Sequence, residues 1–150
     1  MSILLLIAGF TIFQAVFADR IVEPFSELGV LGPNMRLGDY PRELVTGEEF
    51  DLYLYLGNHE GRVMYYRVAL KLGDQSMNVS DTEALNVPVF RFYDQVLQDQ
   101  MNATLPLSLS LNEAGDNIRL VFELHRYDSE ARDFIYHSWI QLWFNVTAPN

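Results

Sequence analysis

The chain has 150 residues, 49% of them apolar, which is the size and make-up of one folded domain with a packed core. Its formal charge of −10 falls wholly on residues 19–150 and argues against a nucleic-acid or anionic-lipid partner. The absence of cysteine excludes disulfides, thiolate chemistry and cysteine-ligated zinc together.

The N-terminal stretch MSILLLIAGFTIFQAVFA differs in kind from the rest. Residues 3–18 carry no charge, only Thr11 and Gln14 interrupt the apolar run, and Asp19-Arg20 ends it. Sixteen residues at about 1.5 Å each reach roughly 24 Å, a little short of the hydrocarbon core but tolerable through local thinning or packing against other helices. Residues 1–18 are therefore read as a transmembrane signal-anchor, the alternative being a signal peptide cut after Ala18. Residues 19–150 form the second unit, a domain outside the cell. Three Asn-X-Ser/Thr triplets, at Asn78, Asn102 and Asn145, fit an exported and glycosylated domain.

Beyond residue 19 the pattern has period two. Phe50, Leu52, Leu54 and Leu56 alternate with Asp51, Tyr53 and Tyr55, and Met64, Tyr66, Val68, Leu70 and Leu72 alternate with Val63, Tyr65, Arg67, Ala69 and Lys71. Between the two runs, Gly57-Asn58-His59-Glu60-Gly61 supplies the residues that accept positive φ most cheaply, so this stretch is expected to be the connection between antiparallel strands. A metalloprotease helix would need a second His where Val63 stands. In the middle segment, VPVFRFY reads as a strand with proline near its start and DQVLQDQ as a short helical turn.

The C-terminal third alternates most regularly, through Leu105, Leu107, Leu109 and Leu111, then Ile118, Leu120, Phe122 and Leu124, then the closing run IYHSWIQLWFNVT. A hairpin with Tyr127 opposite Ile135 sets Leu124 against Ser138, Phe122 against Ile140, Leu120 against Leu142 and Ile118 against Phe144, which buries both apolar faces in one register. The same register puts His125 opposite His137, Glu123 opposite Trp139, Val121 opposite Gln141, Arg119 opposite Trp143 and Asn117 opposite Asn145 on the other face. Trp139 and Trp143 beside Val121 form an apolar patch that asks for cover. The cover is either a loop of the same domain or another subunit; a third reading is stacking on a sugar, for which Arg119 and Tyr65 are suited. His125, His137 and Glu123 are the candidate metal ligands, with no further ligand evident from elsewhere in the chain.

No nucleophile elbow, phosphate-binding glycine loop or argued pair of carboxylates is present, and the acidic residues cluster in turns such as Gly47-Glu48-Glu49 and Asp128-Ser129-Glu130. The chain is therefore read as non-enzymatic and free of cofactors. About seven strands with turn clusters between them give an all-β fold, an antiparallel immunoglobulin-like β-sandwich preceded by one N-terminal transmembrane helix.

The run Pro24-Phe25-Ser26-Glu27-Leu28-Gly29-Val30-Leu31-Gly32-Pro33, with Asp39-Tyr40-Pro41, Gly47-Glu48-Glu49, Asn58-His59-Glu60 and Tyr66, resembles the archaeal membrane-protein family known as domain of unknown function 1616. The resemblance covers most of residues 24–150 and is sharpest over 24–66. It implies an archaeal source, a membrane-tethered domain outside the cell and a sandwich fold, and it brings no catalytic residues. The expectation is a single-pass, membrane-anchored envelope protein serving as an accessory subunit of a larger assembly, with other membrane subunits and the lipid bilayer as partners. The alternatives are a glycan-binding module and a subunit of a homopolymeric surface filament.

Overall fold

The computed structural model describes residues 23–150, so the 1–18 segment lies outside the described residues. No helix among the described residues is long and apolar enough to cross a membrane.

Eight strands form two sheets: β1 (Phe25–Leu31), β2 (Glu43–Val45), β3 (Glu49–His59), β4 (Met64–Gly73), β5 (Arg91–Leu97), β6 (Asn102–Ser110), β7 (Gly115–Asp128) and β8 (Asp133–Thr147). One sheet has the order β1-β3-β6 and the other β2-β8-β7-β4-β5. All pairings are antiparallel except β2 with β8, which run parallel through Leu44 and Val146. The strands β1 and β2 add to the expected set. The expected helical turn at DQVLQDQ is corrected: Asp94–Leu97 continue β5, paired to β4 from Arg67↔Asp94 to Met64↔Leu97.

The core lies between the sheets and is built by the alternation already legible in the chain. Leu52, Leu54 and Leu56 of β3 and Leu107 and Leu109 of β6 face Tyr66, Val68 and Leu70 of β4 and Leu120, Phe122 and Leu124 of β7, all buried. Each such side chain contributes about 1.5–3 kcal/mol by leaving water. Phe50 and Phe144 close one end with ring centroids 5.3 Å apart. The Tyr66 phenol, buried within this core, shares a 2.7 Å hydrogen bond with the Ser26 hydroxyl and so ties β4 to the opposite sheet.

The β7–β8 register is as expected from Ile118↔Phe144 to Leu124↔Ser138 and then shifts. His125 pairs with Tyr136, Arg126 with Ile135 and Tyr127 with Phe134, leaving His137 as the extra residue of a β-bulge. The expected pairs His125–His137 and Tyr127–Ile135 are therefore corrected. A second irregularity lies between Gly115 and Ile118, where Asn117 takes φ 52°, a left-handed conformation that asparagine tolerates better than most residues.

Candidate functional site

Three side-chain assemblies stand out. The first occupies the link between β3 and β4, which crosses from one sheet to the other and is not a hairpin. The strand β3 runs on through Gly57 and Asn58 to His59, and the turn proper begins at Glu60. Gly61, at φ 78°, supplies the left-handed turn. Gly57 serves a different purpose: it pairs with Glu27, and a Cβ there would lie 2.9 Å from Glu27 Oε1. The space it leaves lets the Glu27 carboxylate reach His59 Nε2 at 2.5 Å, while His59 Nδ1 meets Gln100 Oε1 at 3.1 Å. Both ring nitrogens thus face acceptors, an arrangement that suits the doubly protonated imidazolium. The Gln100 hydrogen bond, with that to Glu27 and the nearby carboxylate charges, holds the His59 pKa above its ordinary 6.5.

Asn58 is fully buried and saturates its side chain. Its Nδ2 donates to the Arg62 and Leu97 carbonyls at 2.8 Å each, and its Oδ1 accepts from the Glu60 amide at 2.9 Å. Glu60 reaches away to Arg126 Nη1 at 2.7 Å. Asn58-His59-Glu60 is therefore a joint that fastens the 60–63 and 98–101 connections to β1 and β7 at one end of the sandwich.

The second assembly lies on the outer face of the five-stranded sheet. The β4–β5 connection, residues 74–90, straps across this face. Lys71 Nζ donates to the Leu85 carbonyl at 2.7 Å, and the Leu85 amide donates to Glu123 Oε2 at 2.7 Å. Arg119 Nη1 donates to the Met77 carbonyl and the Tyr136 hydroxyl to that of Ser80, at 2.7 and 2.6 Å. Beneath the strap, Glu123 is fully buried and its Oε1 also meets Lys71 Nζ at 2.8 Å and His125 Nε2 at 3.2 Å. Burial alone would push the Glu123 carboxyl up, but the hydrogen bonds from His125, Lys71 and the Leu85 amide outweigh it and hold the pKa below the ordinary value. Tyr136, half-buried next to this carboxylate, is pushed up to about 12 by burial and by the Glu123 charge.

At Val121 the strap is the cover from the same domain that the sequence reading offers as one alternative. Val121 is fully buried under it and is no part of an exposed patch, and Trp139 is half-buried. Trp143 stays 36% exposed, with the Arg119 guanidinium 5.0 Å from its ring centre. It borders an open cleft lined also by Tyr40, Arg42, Glu43, Asn117 and Gln141. Gln141 Oε1 and Arg119 Nε are buried without hydrogen-bond partners among the described residues.

Of the metal candidates, Glu123 and His125 share a hydrogen bond, but His137 sits in the bulge and does not oppose His125. Burial, and then the charge of Arg126, lower the His137 pKa. Among the described residues no three His, Asp or Glu side chains are grouped so as to hold an ion.

The third assembly escaped sequence reasoning. Beyond the strap, Arg67 lies between Phe92 and Phe134, its guanidinium carbon 5.0 and 4.2 Å from the two ring centres. It also grips Asp94 through two 2.8 Å hydrogen bonds, which hold the Asp94 carboxyl below the usual carboxylate range. Tyr65 stands edge-on to Phe134 at 4.8 Å, and Tyr127 lies 5.9 Å from Tyr65 and 5.4 Å from Phe134. Phe92 is 53% exposed, and Val96, cross-strand from Tyr65, is 55% exposed. The alternation marked Tyr65 and Arg67 as outward, but their neighbours on β5 and β8 follow only from the sheet order and the bulge. Tyr65 therefore belongs to this aromatic cluster and not to the Trp143 region.

Of the glycosylation triplets, Asn78 on the strap and Asn102 at the start of β6 are exposed. The Asn145 amide is engaged on both sides, donating to Glu43 Oε1 at 3.0 Å and accepting from the Asn117 amide at 2.9 Å.

The fold is shared with solved domains. The CARDB domain of a Pyrococcus furiosus protein, crystallised in complex with di-metal ions, superposes with a TM-score of 0.54 at 11% identity, over 84% of this chain and 96% of that one. The solution structure of that domain gives the same TM-score and identity over 83% and 95%. A β-glucosidase from Listeria innocua matches at a TM-score of 0.48 and 14% identity, over 84% of this chain and 16% of its own. At 11% identity the likeness to the CARDB domain concerns the fold alone, an immunoglobulin-like sandwich. No curated protein is significantly similar in sequence. Over residues 20–146 the chain matches a family defined by sequence, and it belongs to that family, described as Domain of unknown function (DUF1616).

Proposed function

We propose that this chain is a non-catalytic, single-pass membrane-anchored protein of the cell surface, whose sandwich stands outside the membrane as an accessory subunit of a larger assembly. The observation that carries this reading is the aromatic cluster of Tyr65, Phe92, Tyr127 and Phe134 around Arg67. The strap covers Lys71, Val121 and Glu123 on that sheet face and leaves this part open. Aromatic side chains with an arginine at the centre of an uncovered face are the composition that protein contacts favour. The apolar segment 3–18 supports the anchor.

Phe92→Ala tests the contact. It removes an exposed ring, so stability should stay within about 0.5 kcal/mol of the parent. Recovery of recurrent partner chains from native membranes should fall at least about tenfold, a loss of roughly 1.4 kcal/mol. Unchanged recovery from a folded variant would remove this face from the assembly.

A second reading, a glycan-binding module, draws on the Trp143 cleft, where Gln141 Oε1 lacks a partner beside an exposed indole. The filament alternative has weaker support. The edge strand β6 carries Pro106, which has no amide to donate, and the opposite sheet's edge strand β5 carries Arg91 and Asp94, which oppose strand addition.

A further inference from the structure

The end of the sandwich at which β1 begins carries exposed apolar side chains on three separate elements. The strand β1 begins at Phe25, and only residues 19–24 separate it from Ala18, a spacer that reaches at most roughly 20 Å. The pairings Phe25↔His59, Gly57↔Asn102 and Met64↔Leu97 bring the start of β1 to the same end as the connections 60–63 and 98–101. Phe25 is 44% exposed there, Val63 61% and Met101 53%.

These positions are rigidly held. Phe25 stacks on His59 with centroids 4.6 Å apart, and the Met101 carbonyl accepts the Asn58 amide at 2.9 Å. The Asn58 side chain binds the 60–63 connection to the end of β5 through Arg62 and Leu97. A domain that keeps three large apolar side chains at the tips of fixed elements presents them to something apolar.

Charge narrows what that is. This end carries Arg62, Arg126 and Arg132 but also Glu60, Asp99, Asp128, Glu130 and Asp133, an acidic excess on a chain of net charge −10. Attraction to anionic headgroups is therefore not the driving force, and apolar entry into an interface is.

We propose that this end of the sandwich rests on the bilayer, with Phe25, Val63 and Met101 entering the headgroup layer around the point where the anchor emerges. The inference rests on residues 3–18 being retained as that anchor. It stands the strands upright, turns the aromatic cluster around Arg67 sideways toward neighbouring subunits, and lifts the opposite end, with Leu37 at 79% exposure, roughly 35 Å above the surface.

The chain has no cysteine, so single labels can be placed cleanly. Full-length Val63→Cys, Met101→Cys and Leu37→Cys, each carrying a fluorophore, would be reconstituted in nanodiscs of zwitterionic phospholipid containing a headgroup-linked quencher. Labels at 63 and 101 should be quenched severalfold more than the label at 37. Equal, weak quenching of all three in a chain that stays in the nanodisc would overturn this inference while leaving the anchor intact. Labels at 63 and 101 shielded from an aqueous quencher yet untouched by the lipid quencher would mean that a protein covers this end, which also overturns it. A folded chain that fails to enter nanodiscs would defeat the anchor and this inference together.

Discussion

Replacing Asn58 with aspartate should prevent the domain from folding at neutral pH. The amide nitrogen of Asn58 donates to two carbonyls, of Arg62 and Leu97, in a fully buried position. A carboxylate oxygen in its place would face both carbonyls with no proton to offer, and a buried, unpaired charge of this kind costs several kcal/mol. Asn58→Ala should be milder yet still severe. It leaves two carbonyls and the Glu60 amide without their partners, at about 1–3 kcal/mol each where water cannot reach them. Urea unfolding followed by circular dichroism would measure both. The aspartate variant should regain part of its structure on acidification, because a protonated carboxyl again offers one donor. Two variants as stable as the parent would show that the joint does not hold this end together.

Lys71→Met should cost roughly 3–5 kcal/mol, because it strands the Glu123 carboxylate in a buried site after removing its cationic partner. The stretch of strap around Leu85 should loosen with it, since Lys71 and Glu123 hold the carbonyl and amide of that residue. Amide exchange over residues 80–86 would report the loosening separately from global unfolding. The pH dependence of the parent follows from the depressed Glu123 pKa. The group binds a proton more readily in the unfolded chain, so its contribution is full above the ordinary glutamate range and is lost as the pH falls through the lower, folded value. In Lys71→Met the carboxyl loses a hydrogen bond and a charge that depress its pKa, so burial pushes it up, protonation relieves the stranded charge, and the variant's deficit relative to the parent should shrink as the pH falls.

Both expectations concern residues whose roles lay beyond the reach of local pattern. Alternation placed the inward faces of β3, β4, β6 and β7, and one register accounted for the seven pairs from Ile118↔Phe144 to Leu124↔Ser138. That register broke at His137 because a bulge adds a residue without any glycine or proline to announce it. The outward positions Ala69, Lys71, Val121 and Glu123 gave no sign of which segment would cover them, because β4 and β7 alone say nothing of a distant strap. Residues 74–90, which have no period, cover them through backbone carbonyls and amides that any sequence would supply. Gly57 and Asn58 read as turn residues from their type. Their actual constraints, room for Glu27 and a set of buried hydrogen bonds, arise only once β1 and the 98–101 connection are in place. The aromatic cluster was half legible: Tyr65 and Arg67 stood on the outward face of β4, but Phe92 and Phe134 join them only through the order β8-β7-β4-β5.

The anchored-subunit account is tested most directly by intact mass spectrometry of the protein extracted from its native membranes, with the co-purifying chains identified in the same run. The account predicts a chain that begins at Met1 or Ser2, retains residues 3–18 and travels with recurrent partner subunits. A chain that begins at Asp19 and is recovered without partners would contradict it.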